Sequence, residues 1–280
     1  MQTNRSTTLY SRFSISLNRL ARAGWRDLRD GAAQWRLCYL LGSADMRRRY
    51  ARSKLGQIWI MLSSTIMVTT MGLIWSYLWK QPVHALLPYI AIGMVTWQLL
   101  LGIITDATTA IPANANYFHN QYTSASTIIF ALIYRNGTIF LLNLVFPLLV
   151  CAAFGVTPSG YALLSLLGIL LVGVTGVWIA FAIAIICTRF RDVIQIINSS
   201  LQIAFFITPV VWKPEVLSQT AQFVTDWNPL AILLSIVRDP LLGRYVPMTT
   251  WLGAMALSLG GLALALPFIG RFRRRIIYWL

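Results

Sequence analysis

Apolar residues run through this chain in six long segments, broken by short polar links. They cover about Ile58 to Trp79, Leu87 to Thr105, Thr127 to Phe154, Tyr161 to Cys187, Val193 to Trp212 and Met248 to Ile269. A bilayer core about 30 Å thick needs about 20 apolar residues in helical form, so each segment is long enough to cross one. Hydrocarbon leaves no solvent for backbone amides, and continuous apolar runs of this length satisfy them as helices. The pattern predicts an all-α integral membrane protein of six transmembrane helices. An even number returns the C-terminus to the side of the N-terminus.

Between the segments the links differ in kind. Lys80 to Ala85 and Gly155 to Gly160 are short turns, whereas Asp106 to Ser126 is polar and rich in Asn, Thr and Ala, as suits a loop carrying a short helix. Residues 213 to 247 hold four prolines and the eight-residue apolar run Leu230 to Val237, too short to span. A re-entrant or gate helix fits that run, and so does an amphipathic surface helix. Ahead of the first span, Trp35 to Gln57 mixes Leu37, Tyr39, Leu40, Leu41 and Leu55 with Arg47, Arg48, Arg49, Arg52 and Lys54. This mixture predicts an amphipathic helix in the membrane surface, its basic groups toward anionic headgroups. The chain therefore divides into an extension (1–34), an interface helix (35–57), a six-span domain (58–270) and a basic tail (271–280). The first 36 residues hold no apolar run of the kind a cleavable signal peptide carries.

Charge then orients the bundle. Of 280 residues 57% are hydrophobic and only 11% charged, yet Lys and Arg number 23 against 8 Asp and Glu, a net charge of +15. Twelve of the 23 basic residues precede Ile58, two lie at Arg189 and Arg191, and four follow Ile269. With both termini in the cytoplasm, eighteen basic residues face inward and four outward, Arg135 being left within the third apolar segment. That distribution accounts for the charge without nucleic acid, for which no binding module is visible.

Little catalytic material is present. The two histidines, His84 and His119, have no carboxylate close in sequence, and Cys38, Cys151 and Cys187 are far apart and apolar in setting, so no catalytic residue and no metal site is expected. The three lysines, Lys54, Lys80 and Lys213, follow Ser53, Trp79 and Trp212, so the Gly-Lys-Ser/Thr of a phosphate-binding loop is lacking. Driven transport would need a separate ATPase or an ion gradient. Asp106, Arg135 and Asp192 are the ionisable candidates for a gradient, all near the cytoplasmic face. The fifth segment instead offers Gln195, Asn198, Ser199, Ser200, Gln202 and Thr208, a neutral polar set suited to a hydroxyl-rich cargo or to helix association.

Four ordered stretches carry a family resemblance. Arg48-Arg49-Tyr50-Ala51-Arg52-Ser53-Lys54-Leu55-Gly56-Gln57-Ile58-Trp59 is followed by Thr188-Arg189-Phe190-Arg191-Asp192, by Phe206-Ile207-Thr208-Pro209-Val210-Val211-Trp212, and by Asn228-Pro229-Leu230 with Arg238-Asp239-Pro240-Leu241-Leu242. Together they resemble the permease subunits of ABC-2 type exporters of bacterial surface polysaccharides. The resemblance implies a homodimer in the bacterial inner membrane, bound to two copies of a separate ATPase that carries the ATP and Mg; no cofactor belongs to this chain. The cargo it implies is a lipid-linked polysaccharide, foremost undecaprenyl-pyrophosphate-linked O-antigen, with capsule, teichoic acid, a drug or a lipid as alternatives. Carried over by position, Arg47, Arg48, Arg49, Tyr50, Ser53, Leu55, Gly56, Asn114, Asn116 and Tyr117 would dock the ATPase. Arg189, Arg191 and Asp192 would form the substrate entrance, and Gln195, Asn198, Ser199 and Gln202 would line the channel. Pro209, Trp212, Asn228, Pro229 and Arg238 would form the outer gate. A membrane enzyme acting on lipid-linked sugar is the rival outside transport, with Asp106, Asp192 and Asp239 as its acid or base.

Overall fold

The computed structural model describes residues 3–50, 58–120, 124–156, 159–214, 225–273 and 275–279. The helices are α1 (Thr3–Ala33), α2 (Trp35–Tyr50), α3 (Ile58–Leu78), α4 (Val83–Thr109), α5 (Ala115–Asn120), α6 (Ala125–Ala153), α7 (Leu164–Arg189), α8 (Val193–Ile207), α9 (Pro229–Leu241) and α10 (Met248–Phe272). No strand occurs among the described residues. Among the described residues five helices, α3, α4, α6, α7 and α10, are long and apolar enough to cross a membrane. The expected span over Val193–Trp212 is shorter, because the helix stops at Ile207. Its 15 residues reach about 22 Å, short of the roughly 30 Å hydrocarbon core. Thr208 is extended where the helix breaks before Pro209, as a residue preceding proline prefers.

Helix α4 is the hub. Its residues 86–97 are buried without interruption, whereas α3 and α10 leave most of their surface open. A continuous core of α4, α6, α7, α9 and α10 side chains includes Ile103, Ile129, Phe181, Leu233 and Ile269. A second cluster joins Val68 of α3 to Leu86, Tyr89 and Ile90 of α4 and to Val210 and Val211. Tyr161 lies beside Tyr245 at one end of the bundle, with ring centroids 6.2 Å apart, while Arg189 sits 5.9 Å over the Trp279 ring at the other. Helices α7 and α10 therefore run in the same direction. The chain returns between them through α8 and the segment that follows it.

Helix α10 carries a π turn at Ala256–Gly260. Ser258 in this turn donates to Leu171 O (3.1 Å) or Ala254 O (2.7 Å) and shares a hydrogen bond with Thr175 Oγ1 (2.8 Å). Such a turn frees a carbonyl from the regular ladder, and here the serine ties α10 to α7.

The extension expected over residues 1–34 is a continuous helix from Thr3. Apolar and polar positions separate by face more strongly in α1 than in α2, where the sequence pointed to an amphipathic helix; residues 51–57 lie outside the described set. The packed face of α1 is Leu20, Gly24, Asp27, Leu28 and Gly31, a spacing of four, three, one and three. Gly24 meets Leu266 O and Gly270 meets Leu20 O so closely that neither position has room for a Cβ. Asp27 accepts from Ser126 N (3.2 Å) and from Ser126 Oγ, placing a carboxylate at the start of α6, where helix dipole and unpaired amides favour it. Thr127 Oγ1 donates to Gln34 Oε1 at 2.8 Å just beyond.

Replacing Gly270 by Val forces α1 off α10. The expected result is a loss of about 1–3 kcal/mol, as for other overpacked contacts, seen as a lower unfolding temperature in detergent and faster tryptic cleavage at Arg22 and Arg26. An unchanged digestion pattern would show that the α1–α10 contact does not hold α1 in place.

Candidate functional site

Among the described residues, three polar places hold the side chains expected at functional sites. The first surrounds Arg135, which lies in the apolar run of α6 and is only 8% exposed. A guanidinium in that position stays charged and needs acceptors close by. It obtains them from two helices. Arg135 Nη2 reaches Asp106 Oδ2 of α4 at 2.5 Å, and Nη1 pairs with Asp45 Oδ2 of α2. Asn136 Nδ2 also donates to Asp106 Oδ2 at 2.9 Å, and Arg48 reaches the other oxygen of Asp45 at 3.7 Å. Gly102 admits this arrangement, since a Cβ there would collide with Asn136 Oδ1. Gly42 likewise lets α2 ride on α6, its missing Cβ lying 2.7 Å from the Tyr134 ring.

Beside this cluster is a cavity of about 230 Å³, lined among others by Asp45, Arg48, Asp106, Thr109, Asn114 and Arg135. It lies between α2 and the turn from α4 to α5, the two segments expected to dock a partner ATPase. Of the docking residues, Arg47, Arg48 and Asn116 are exposed, and Asn114 and Tyr117 are half-buried. Asn114 Nδ2 donates to Ala110 O at 2.8 Å, holding the turn. Ser53, Leu55 and Gly56 lie outside the described residues, as do the side chains of Arg49 and Tyr50. Arg48 and Asn114 thus share one cavity, although 66 positions apart in sequence.

The second place runs from the α7–α8 turn along α8. Arg189, Arg191 and Asp192 are all exposed there, and the Arg189 guanidinium lies 5.5 Å from the Phe190 ring centroid. Gln195, Asn198, Ser199 and Gln202 follow at intervals of three, one and three, so they occupy one stripe of α8. Gln195, Ser199 and Gln202 are exposed and Asn198 is half-buried; Leu201 is the buried residue of this helix. The stripe is polar, and the other described residues leave it open except at the half-buried Asn198.

At the end of α8 is the third place, where all five residues expected at the outer gate meet or adjoin. Arg238 is 3% exposed. Its Nη1 donates to Pro209 O at 2.6 Å, its Nε to Asp239 Oδ1 at 2.9 Å, and its guanidinium lies 4.0 Å over the Tyr89 ring. Tyr89 Oη donates to Trp212 O at 3.1 Å, or to Pro209 O at 3.4 Å. Asn228 caps α9, accepting from Leu230 N at 2.9 Å, and its Nδ2 donates to Thr208 Oγ1 at 3.0 Å, while Pro229 occupies the first helical turn. Gly93 allows the loop to approach, since a Cβ there would stand 2.7 Å from Val210 O. Tyr89, Gly93 and Thr208 were not expected at this place. An aromatic and a glycine within an apolar run carry no mark that separates such a contact from ordinary packing.

The cysteines are free and buried. Cys38 Sγ donates to Gly31 O at 3.6 Å, and burial pushes its thiol up. Among the described residues no cluster of His, Cys, Asp and Glu could hold a metal ion.

These features define a class: a multi-pass helical membrane protein with one polar helix face and packed ionic clusters at its two ends. Residues 36–242 match the ABC-2 type transporter family, and the chain belongs to it. Over 211 residues it is 22% identical to the O-antigen export system permease protein RfbA of Klebsiella pneumoniae, covering 72% of this chain and 79% of the relative. It is 21% identical over 193 residues to a protein of the same name from Myxococcus xanthus, covering 68% of this chain and 74% of that one.

Arg135→Leu removes the cation that bridges Asp45 and Asp106, leaving Asp45 only the more distant Arg48 at 3.7 Å. A loss of about 3–5 kcal/mol is expected, as when one partner of a buried pair is removed, with Arg135→Lys keeping part of it. The check is thermal unfolding in detergent. Adding Asp106→Leu to Arg135→Leu restores part of the loss if the pairing is the cause, and restores none if Arg135 acts through packing alone.

Proposed function

We propose that this chain is the permease subunit of an ATP-driven exporter that moves a lipid-linked polysaccharide across the bacterial inner membrane, most directly a pyrophosphate-linked O-antigen. The observation that carries the proposal is the polar stripe of α8. It starts at the exposed Arg189 and Arg191, runs through Gln195, Asn198, Ser199 and Gln202, and ends at the Arg238 cluster. A diphosphate cannot enter hydrocarbon without cationic partners, and a glycan behind it needs amides and hydroxyls in place of water. Both are available in that order, the arginines at the α7–α8 turn and the amides and hydroxyl along α8. The names of the O-antigen export relatives support the choice of cargo. Capsular polysaccharide, teichoic acid, or a drug or lipid are the other cargoes to be distinguished.

In this reading two copies of the chain face each other across the α8 stripes, closing a path that one copy leaves open to one side. Arg189, Arg191 and Asp192 receive the headgroup at the cytoplasmic face, and both termini lie on that side. ATP and Mg are handled by two copies of a separate ATPase, docked on α2 and α5. When the ATPases close, α2 moves, and the Arg135 bridges transmit that movement to α4 and α6 as a rigid-body displacement. The Arg238 cluster, with Pro209, Trp212, Asn228 and Pro229, is the outer gate.

Deleting the gene is expected to abolish surface polysaccharide, and Arg189→Ala with Arg191→Ala to reduce it severalfold, with the chain still in the membrane and still bound to its ATPase. Full export by the double variant would remove the entrance role. Separately, the purified chain without its partner should not hydrolyse ATP; hydrolysis by this chain alone would sink the proposal.

A further inference from the structure

Helix α1 presents a face that neither the bundle nor the proposed transport cycle uses. Arg19, Arg22, Arg26 and Arg29 recur at intervals of three, four and three, and all four are exposed. At about 100° per residue they form one stripe, centred opposite the packed face of Leu20, Gly24, Asp27, Leu28 and Gly31. Among the described residues none of the four arginines forms an ion pair. The two carboxylates of α1 lie elsewhere: Asp27 is turned into the bundle against Ser126, and Asp30 stands to one side of the stripe. On the other flank Trp25 is 58% exposed, and Trp35 just beyond the end of α1 is 63% exposed.

We propose that this arginine stripe binds the anionic phospholipid headgroups of the inner leaflet, with Trp25 set at the headgroup boundary. The packed face brings α1 against Leu266 and Gly270, near the Arg189 end of α10, and against Ser126 at the start of α6. That level is where a spanning helix leaves the hydrocarbon. A helix held there, with arginines on one sector and an exposed indole on the next, has the composition of an interfacial helix. Multiple arginines near a surface of negative potential gain with each added charge, and phosphate oxygens match the guanidinium fork. An acidic protein surface would satisfy the arginines but would leave Trp25 without an apolar neighbour. The choice of leaflet rests on the orientation given under the proposed function.

The test uses the full-length chain in neutral detergent, without ATPase or polysaccharide, so its result is independent of whether export occurs. Phosphatidylglycerol is expected to raise the unfolding temperature by several degrees relative to phosphatidylcholine, and about 1 M NaCl, where the screening length is about 3 Å, to remove most of the difference. The variant Arg19→Gln, Arg22→Gln, Arg26→Gln, Arg29→Gln should lose most of the phosphatidylglycerol effect with its stability in phosphatidylcholine unchanged. A control in which Arg271, Arg273 and Arg275 become Gln should keep the effect. If the quadruple variant is poorly folded, brominated phosphatidylglycerol should quench the wild-type fluorescence contribution of Trp25, taken by difference from Trp25→Phe, more than brominated phosphatidylcholine does. An equal lipid response in the quadruple variant, or equal quenching by the two lipids, overturns the proposal. A variant that keeps its lipid response but no longer co-purifies with the ATPase would assign the stripe to that protein instead. Ala33→Cys, labelled in intact spheroplasts by an impermeant maleimide, would refute the leaflet without touching the lipid result.

Discussion

A guanidinium placed in an apolar helix has to be met by carboxylates from elsewhere, and Arg135 is met from two directions at once. Asp106 belongs to α4, the most buried helix, and Asp45 to α2, which precedes the first span. Neither could withdraw without leaving charge in a poorly hydrated place, where an unpaired ion is far more costly than a paired one. This requirement joins α2, which carries Arg47 and Arg48, to the centre of the bundle. The glycines at 42 and 102 follow from it, since both remove a Cβ that would keep the helices apart.

The far end of the bundle is built on a similar principle with different partners. Arg238 has one adjacent carboxylate, Asp239, and finds the rest of its coordination in a backbone carbonyl and an aromatic face. Because Pro209 supplies that carbonyl and α8 ends two residues earlier, at Ile207, the break in the helix and the satisfaction of the arginine are one structure. The same break leaves α8 too short to span unaided and draws the loop after it onto Tyr89. Rigid clusters at the two ends and an open polar stripe between them suit a device that moves as packed units rather than one that deforms continuously.

Much of this was legible in the sequence. Apolar runs of about 20 residues located the long helices, because a chain in hydrocarbon has no other way to satisfy its backbone. The apolar run Leu230 to Val237 located the short helix α9, while its start, with the Asn228 side-chain cap and Pro229 in the first turn, came from the structure. The period of α8 also placed Gln195, Asn198, Ser199 and Gln202 on one stripe. Less legible was the N-terminal region, where the basic cluster from Arg47 to Lys54 drew the amphipathic reading to α2, although the clearer division of faces belongs to α1.

What the sequence determined by itself was the set of long apolar helices and the cost carried by an arginine within a span that had to find anions; the stop of α8 at Ile207, within an apolar run that continues to Trp212, came from the structure. The long helices and that cost depend on near neighbours along the chain and on transfer from water, so they can be read from composition and period. Tertiary structure decided which groups bear those costs. Asp45 and Asp106 answer Arg135 across 90 and 29 positions, Pro209 answers Arg238, and Asp27 answers the start of α6. Such pairings arise from how helices cross, and crossing depends on small residues such as Gly24, Gly42 and Gly102 whose significance appears only when a second backbone lies against them.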